Sequence, residues 1–296
     1  MDLPQTRRAV ARGRGQYARR VSAPPPVDVR PATTVALRSW AVFDGLPVVA
    51  GVSTRHGGVS AAPYDSLNLG LHVGDLPAAV LENRSRLAAA VGLTLDELVF
   101  AEQSHGREVA TVTIADRGRG ARSPGDAVGP VDALVTASPD LGVVILVADC
   151  VPMVLYAPDV HAVACIHAGW RGTAARVVEP AIEALRRLGA SPASIRSGIG
   201  PAIPVDRYQV GDEVATAARA GLGAVAESVL HADGPGRWRF DLWAANRALL
   251  LGAGLSAGNI ELMAVPTGAS GPFFSDRDAR PCGRFAAIAR LRPRPS

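Results

Sequence analysis

Residues 141–173 read LGVVILVADCVPMVLYAPDVHAVACIHAGWRGT and decide the fold of this 296-residue chain. They contain three apolar runs, VVILV, VPMVLYA and VHAVACIHA, and a polar or glycine-bearing turn follows each run. Short apolar runs of this kind, bounded by turns, are typical of buried strands. The next segment, residues 172–190, has the apolar spacing of a helix whose first turn is offset by Pro180. We therefore predict three consecutive strands followed by an amphipathic helix.

Elsewhere in the chain, strands also come in groups, with helices between the groups. Strand patterns occupy residues 34–43, 48–55, 98–103, 108–114, 132–137, 194–201 and 259–265, whereas residues 283–291 fit either a helix or a strand. Helical spacing occupies residues 77–93, 210–221 and 241–254. The regular strand–helix alternation of a doubly wound sheet is missing, which favours the α+β class. No Pro/Ser-rich linker divides residues 36–296, so we predict one domain there.

The positive charge of the chain is concentrated at its N-terminus. Residues 1–38 carry eight Arg and two Asp, whereas the remainder carries 23 Arg and 25 acidic residues. Residues 1–35 are rich in Arg and Pro and have no core-forming period, which predicts a disordered extension. The folded part is near neutral and lacks the basic face that nucleic-acid binding needs, so we expect no nucleic-acid partner.

Apolar runs and cysteine usage indicate where the protein works. No apolar run approaches the roughly 20 residues of a membrane helix, so we expect a soluble protein with no membrane partner. The three cysteines have irregular spacing and do not form a disulfide framework. This usage favours a reducing cytoplasm.

Three residues stand where apolar runs end, and they carry the strongest chemical signal. His105 lies in AEQSHG, Cys150 in VADCVP and His167 in IHAGWRGT. Two imidazoles and a thiolate form a three-ligand set with an open fourth position, as in a catalytic zinc site. The same residues can also form a Cys-His nucleophile pair. We predict an enzyme site here, and both chemistries remain open.

Charged residues beside this trio predict how a substrate is held. Asp149 directly follows an apolar run, where a carboxylate is costly unless it is paired or used, so we treat it as a catalytic candidate. Arg171 lies in GWRGT at the start of a predicted helix, where free N–H groups and a guanidinium make an anion site. Arg55, in the turn TRHGG, is a second candidate for binding an anion.

The ordered motifs of the chain resemble one family, the YfiH/laccase-domain family, over roughly residues 36–293. The motifs are STRHGGVS, SLNLGLHVGD, ENR, QSHG, DALVT, VADCVPMVLY, IHAGWRGT, IGPAI, YQVGDEV and FFSDRD. The resemblance implies a sandwich of packed sheets flanked by helices, in which His105, Cys150 and His167 bind the metal. It also implies one of three activities, those of a polyphenol oxidase, a zinc-dependent purine nucleoside phosphorylase or a peptidoglycan editing factor.

Two further substrate-binding candidates lie in these motifs. Asn68 belongs to SLNLG, and Arg277 belongs to FFSDRD. The family usually has Ser-x-Arg-Arg in the second motif, and here Asp278 replaces the second Arg. Exchanging a cation for an anion changes the substrate contacts expected at this edge and leaves the metal trio unaffected.

Physical chemistry ranks the activities that the resemblance implies. A multicopper laccase needs far more imidazoles than the six His of this chain, although Cu²⁺ at the His-Cys site can still support weak oxidation. Phosphorolysis of purine nucleosides fits better, because it needs an anion site beside a zinc ion that stabilises charge. Adenosine deamination is a compatible side activity.

Two other readings stay open. Without metal, a Cys-His pair would act as an amide hydrolase, which suits peptidoglycan editing. A non-enzymatic module that binds a nucleotide-like ligand is the last alternative.

Overall fold

The computed structural model describes Met1 and residues 35–294, and Thr33–Ser296 group into one compact unit. Nearly all of the predicted extension, residues 1–35, lies outside the described residues. The strands, in chain order, are β1 Leu37–Arg38, β2 Val48–Ser53, β3 Leu98–Phe100, β4 Val109–Thr111, β5 Ala133–Thr136, β6 Gly142–Val147, β7 Val151–Ala157, β8 Ala162–Ala168, β9 Arg196–Ile199, β10 Gln209–Gly211, β11 Leu230–Ala232, β12 Arg237–Phe240, β13 Ile260–Leu262 and β14 Phe285–Leu291. The α-helices are α1 Pro77–Ala90, α2 Trp170–Ala174, α3 Val178–Arg187, α4 Asp212–Leu222, α5 Ala226–Val229 and α6 Leu242–Gly252.

The strands form two large mixed sheets and one small antiparallel sheet. The first large sheet has the order β1-β2-β14-β6-β3, and the second has the order β13-β9-β7-β8-β5-β4. The small sheet has the order β10-β12-β11. Most neighbours are antiparallel, while β3 with β6, β4 with β5 and β13 with β9 are parallel. These mixed sheets confirm the predicted α+β sandwich, which has helices on both outer faces.

Alternation along the central strands explains the layers. In β8, Val163 and Cys165 face the core between the two large sheets, whereas Ala164 and Ile166 face a second core with α3, α4 and α6. The first sheet behaves alike, since Val144 on β6 packs toward α1. Because both faces of these strands are buried, their sequences are continuously apolar.

Some elements differ from the sequence prediction. The helix predicted over residues 172–190 is two helices, α2 and α3, because Arg176 has a positive φ of 62° and ends the first. Residues 34–43 were predicted as a strand, but only Leu37–Arg38 is one, and Ala41–Phe43 is a 3₁₀ turn. The side chain of Trp40 is instead fully buried in the core between the two large sheets, and its Nε1 donates a hydrogen bond to the Ile199 carbonyl at 2.9 Å. Residues 283–291 resolve as a strand, β14, in the middle of the first sheet.

Across residues 35–294, none of the helices is both long enough and apolar enough to cross a membrane.

Candidate metal and substrate site

The chain crosses from the first large sheet to the second at two places, and both crossings carry a predicted metal ligand. His105 lies between β3 of the first sheet and β4 of the second, and Cys150 lies between β6 and β7. His167 is on β8, paired with Pro152 of β7, so it is next to the second crossing. His105 and Asp149 both have positive φ, 61° and 82°, as tight crossings require. The sandwich thus brings three residues, far apart in sequence, to one end of the sheets.

The three side chains are close enough to share one ion. A nitrogen from each imidazole and the Cys150 Sγ lie within 4.8 Å of one another. The His105 and His167 rings meet edge to face with centroids 4.7 Å apart. In a tetrahedral zinc site such ligand atoms are about 3.6 Å apart, so small side-chain rotations close the set around an ion. His167 is buried, Cys150 is half-buried and His105 is exposed, which leaves one side of the trio open.

Gly169 makes room for this trio. A Cβ at residue 169 would lie 2.9 Å from the Cys150 Sγ and 3.1 Å from the His105 Cδ2, closer than normal packing allows. The glycine that precedes Trp170 in HAGW is therefore needed for space, and any side chain here would displace two of the three candidate ligands.

Asp132 organises both histidines. Its carboxylate accepts hydrogen bonds from the Nδ1 of His167 at 2.7 Å, the backbone N–H of His105 at 3.0 Å and that of Gly106 at 2.6 Å. Ser104 donates to the same carboxylate through its hydroxyl at 2.9 Å. With Nδ1 bound to Asp132, the Nε2 of His167 is the nitrogen available to a metal, and such carboxylate–histidine pairs orient zinc ligands. Asp132 is fully buried, so these bonds also satisfy a charge that would otherwise be costly.

In the metal-free chain, Cys150, His167 and the neighbouring Asp132 have strongly shifted pKa values. Burial alone would raise the pKa of the Cys150 thiol, but the facing His167 and His105 lower it to about 6. Burial likewise opposes the charge of His167, yet Cys150 and Asp132 raise its pKa to about 9. The Asp132 pKa falls to about 2, because its partners outweigh the effect of burial. A thiolate beside histidines is the donor set that zinc prefers, so the residues present fit a metal ion.

The trio opens into a cleft of about 740 Å³, a volume typical of small-molecule sites. Arg171 and Arg277, two of the predicted substrate-binding residues, line this cleft. The Arg171 guanidinium lies 4.2 Å from the centre of the Trp170 ring and is exposed, with the Glu213 carboxylate at 3.9 Å. The Arg277 guanidinium lies 5.1 Å from the Tyr208 ring and donates to the Gln209 carbonyl at 3.2 Å. Two cations therefore line the same cleft as His105, Cys150 and His167, whose end of the cleft is called the metal end below.

The other two predicted substrate-binding residues have structural partners. Arg55 donates to the carbonyls of Asp65 and Ala269 at 2.9 and 2.8 Å, and its guanidinium lies 4.6 Å from the Phe274 ring. Asn68 is fully buried, and its side-chain oxygen accepts a hydrogen bond from the backbone N–H of Arg284 at 2.9 Å. Neither Arg55 nor Asn68 is among the described residues that line the cleft, so their contacts with a substrate remain a prediction.

Asp149, predicted as a catalytic residue, lines the cleft but holds a neighbouring loop with both carboxylate oxygens. One oxygen accepts from the Thr267 hydroxyl, and the other accepts from the Arg277 backbone N–H at 2.7 Å. This arrangement anchors the segment that carries Arg277 against the metal end. Proton transfer by Asp149 stays a prediction.

Sequence reasoning did not assign roles to Asp132, Tyr208 or Gln103, although all three shape the site. The Tyr208 ring is nearly buried against the metal end, and burial raises the pKa of its hydroxyl. The Gln103 side chain pairs with the backbone of Leu146 at 2.7 Å in both directions and joins the two crossings. The motifs DALVT, YQVG and EQSHG contain these residues, but only the sheet pairing reveals their partners.

A family model described as "Multi-copper polyphenol oxidoreductase laccase" matches residues 49–292. The chain belongs to this family. It is 40% identical over 247 residues to a purine nucleoside phosphorylase of Deinococcus radiodurans, a match that covers 83% of this chain and 90% of that one. It is 38% identical over 213 residues to adenosine deaminase RL5 from an unknown prokaryotic organism, covering 72% and 81%. The crystal structure of YlmD from Geobacillus stearothermophilus is similar at a TM-score of 0.81 and 36% identity, covering 88% of this chain and all of that one.

The family resemblance seen in the sequence motifs is thereby confirmed, although the multicopper centre named in the family's description does not match the number of ligands in this site. All six histidines lie in the described part of the chain, and only His105 and His167 join a group of three or more His, Cys, Asp or Glu that could hold a metal. Several copper ions in one site would need many more imidazoles. One metal ion per chain is what these residues can hold.

Proposed function

We propose that this protein is a zinc-dependent purine nucleoside phosphorylase, which converts a purine nucleoside and phosphate to the free base and ribose 1-phosphate. One observation carries the proposal: an open trio of His105, Cys150 and His167 adjoins two arginines, Arg171 and Arg277, in a single cleft. Relatives with purine nucleoside phosphorylase in their names support the substrate class. Adenosine, inosine and methylthioadenosine are the proposed substrates.

In this reaction an oxygen of phosphate forms a bond to ribose C1′, while the bond from C1′ to the purine nitrogen breaks. The electron pair of the broken bond goes to the purine, and a proton must neutralise it. Arg171 and Arg277 would neutralise the phosphate and hold it against the sugar, because guanidinium groups bind phosphate oxygens in pairs. The flat faces of Trp170 and Tyr208 beside them would orient the nucleoside.

His105, Cys150 and His167 would hold the zinc, and the ion would supply Lewis acidity where negative charge develops. Asp132 would keep His167 in the tautomer that presents Nε2 to the metal. Asp149 would position Arg277 through its backbone N–H and, as the sequence suggests, exchange a proton with the purine. Deamination of adenosine at the same site, the activity in the name of RL5, is proposed as a side reaction.

A second candidate function has a specific observation in its favour. In the metal-free chain the Cys150 thiol has a pKa of about 6 and faces His167, which is the arrangement of a thiolate nucleophile. This pair would support amide hydrolysis, as in peptidoglycan editing. The two candidates differ in their dependence on metal, because chelation would abolish phosphorolysis and spare the thiol chemistry.

The deciding experiment combines metal analysis of the purified full-length protein with a substrate screen. Adenosine, inosine and methylthioadenosine are each incubated with and without phosphate, and base and ribose 1-phosphate are quantified. The proposal expects about one zinc per chain and base release that requires phosphate. His56→Gln, an exposed histidine of the described chain outside the cleft, is the matched control for variants of the trio. The hydrolase would be favoured if no purine base is released and if the protein still cleaves an amide after a chelator has removed its metal.

A further inference from the structure

The cleft has a second cationic end, which the phosphorolysis mechanism does not use. Arg84 on α1, His72 and Arg284 line the cleft away from the metal trio. They surround one short segment of chain: Arg84 Nε donates to the Leu69 carbonyl at 2.8 Å, and a Cβ built on Gly70 would lie 2.9 Å from Arg284 Cγ and 3.4 Å from His72 Cε1. The three side chains are therefore neighbours.

Arg84 is a buried cation with spare hydrogen-bond donors. Its residue surface is only 3% exposed. Nε donates to Leu69, and Nη1 donates to the carbonyls of Gly120 and Ala121 at 2.6 and 2.8 Å. A guanidinium has five N–H groups, so these bonds use three and leave the two on Nη2. Nη2 has no hydrogen-bond partner within residues 35–294. It is also absent from the fully buried side-chain atoms that lack a partner there, so it keeps contact with solvent, and Arg84 lines the cleft.

The charge of Arg84 is also uncompensated. The three bonds go to neutral carbonyls, and one face of the guanidinium lies 4.0 Å from the centre of the Phe100 ring. No carboxylate of the described chain forms an ion pair with it. Burial lowers the pKa of Arg84 to about 10, which reflects the cost of a buried cation without a counter-charge.

The surrounding charges do not offset this excess. Asp276 is shared between Arg280 and Arg284, whose Nη2 lies 3.1 Å from the carboxylate. Glu102 also lines the cleft, but its residue is exposed to water. The pKa of His72 is lowered first by its partial burial and then by the positive charges of Arg284 and Arg84. A positive potential therefore remains at this end of the cleft, and a bound anion would neutralise it.

We propose that Arg84, His72 and Arg284 form a second anion site in the cleft, which binds a phosphate-type oxyanion separately from the metal end. The anion is either free phosphate or the phosphate ester of a nucleotide, whose purine and sugar would occupy the rest of the cleft. The two N–H groups on Nη2 of Arg84 carry no bond to the described chain and can each donate to an oxygen of a tetrahedral oxyanion, as charge-assisted hydrogen bonds. This site stands whether or not the metal end carries out phosphorolysis.

The test measures phosphate binding by calorimetry at constant ionic strength, using the full chain with Arg171→Gln to weaken the metal-end site. His72→Glu puts a carboxylate beside Arg84, and circular dichroism checks that the variant keeps its fold. The matched control is His56→Glu, an exposed histidine outside the cleft. We expect His72→Glu to weaken phosphate binding about tenfold or more through like-charge repulsion and His56→Glu to leave it unchanged. Arg84→Met, checked for folding by circular dichroism, should have the same effect.

A parallel titration with adenosine and adenosine 5′-monophosphate identifies the source of the anion. If the site holds a phosphate ester, His72→Glu weakens the monophosphate and spares adenosine. If it holds free phosphate, His72→Glu weakens only inorganic phosphate. The proposal is overturned if His72→Glu binds both phosphate and the monophosphate as tightly as His56→Glu does. These outcomes do not depend on turnover, so failure of the anion site is distinguishable from failure of the phosphorylase proposal.

Discussion

Replacing Asp132 with Asn should weaken metal binding while preserving the shape of the side chain. The change removes the charge that His167 Nδ1, His105 N–H and Gly106 N–H all face, and it places an amide NH₂ opposite one of these donors. Loss of such a partner behind a zinc ligand typically lowers metal affinity 10- to 100-fold, which is about 1.4–2.7 kcal/mol. We expect a loss in this range for zinc.

The assay is competition for zinc with a chromophoric chelator at pH 7.5. Asp159→Asn is the matched control, because Asp159 also accepts hydrogen bonds, from Ser191 N–H and the Ser194 hydroxyl, but lies outside the cleft. Unchanged zinc affinity in Asp132→Asn, or an equal loss in Asp159→Asn, would refute the reasoning that Asp132 orients the metal site.

The same carboxylate should make the stability of the metal-free chain depend on acid. The Asp132 pKa falls from 3.8 to about 2 on folding, which corresponds to about 2 kcal/mol. Because the folded pKa is depressed, this stability is fully present above about pH 4 and is lost as the pH falls toward 2. Denaturant unfolding of wild type and Asp132→Asn between pH 2 and 6 should therefore converge at the acid end. A difference that stays constant across this range would contradict the assignment of the pKa.

Four further predictions concern the site and the N-terminal segment. Cys150→Ala should abolish both zinc binding and phosphorolysis, measured by metal analysis and base release, while Cys165→Ala, in the core between the sheets, should retain zinc. In metal-free protein, the rate at which iodoacetamide modifies Cys150 should rise with a midpoint near pH 6, since only the thiolate reacts, and zinc should protect the thiol. A midpoint near pH 9 would show that the pKa of Cys150 is not lowered. Arg171→Gln should raise the KM for phosphate at least about tenfold with unchanged zinc content, and an unchanged KM would remove Arg171 from the phosphate site. Deleting residues 1–33 should leave the Tm and turnover nearly unchanged, because the segment has no core-forming period, and a large loss of either would show that it docks on the domain.

The clustering of His105, Cys150 and His167 could be predicted because its signal is local. Cys150 and His167 each interrupt or end an apolar run, and the glycine after His105 marks a turn, so strand ends were recognisable without a structure. The strand β14 and helix α6 were also recoverable, although residues 283–291 fitted two structures until their pairing with β6 and β2 was seen. Local sequence was sufficient to predict a strand wherever burial of both of its faces produced a continuous apolar run.

The residues that support the trio could not be predicted, since their partners are distant in sequence. Asp132 meets His167 only because β5 pairs antiparallel with β8, which sets Ala133 opposite Ile166. Arg84 follows Asn83 on a helix with ordinary spacing, and nothing in the sequence says that its guanidinium points inward. The break at Arg176 likewise depends on packing, because α2 lies against α4 so tightly that a Cβ on Gly221 would overlap the Ala174 carbonyl.

The most direct test of the proposed activity is the balance of products from inosine and phosphate. Zinc-replete full-length protein should release hypoxanthine and ribose 1-phosphate in equal amounts, with no release when phosphate is omitted and none from Cys150→Ala. Release of hypoxanthine without phosphate, or no release from inosine, adenosine and methylthioadenosine at one zinc per chain, would contradict the phosphorylase account.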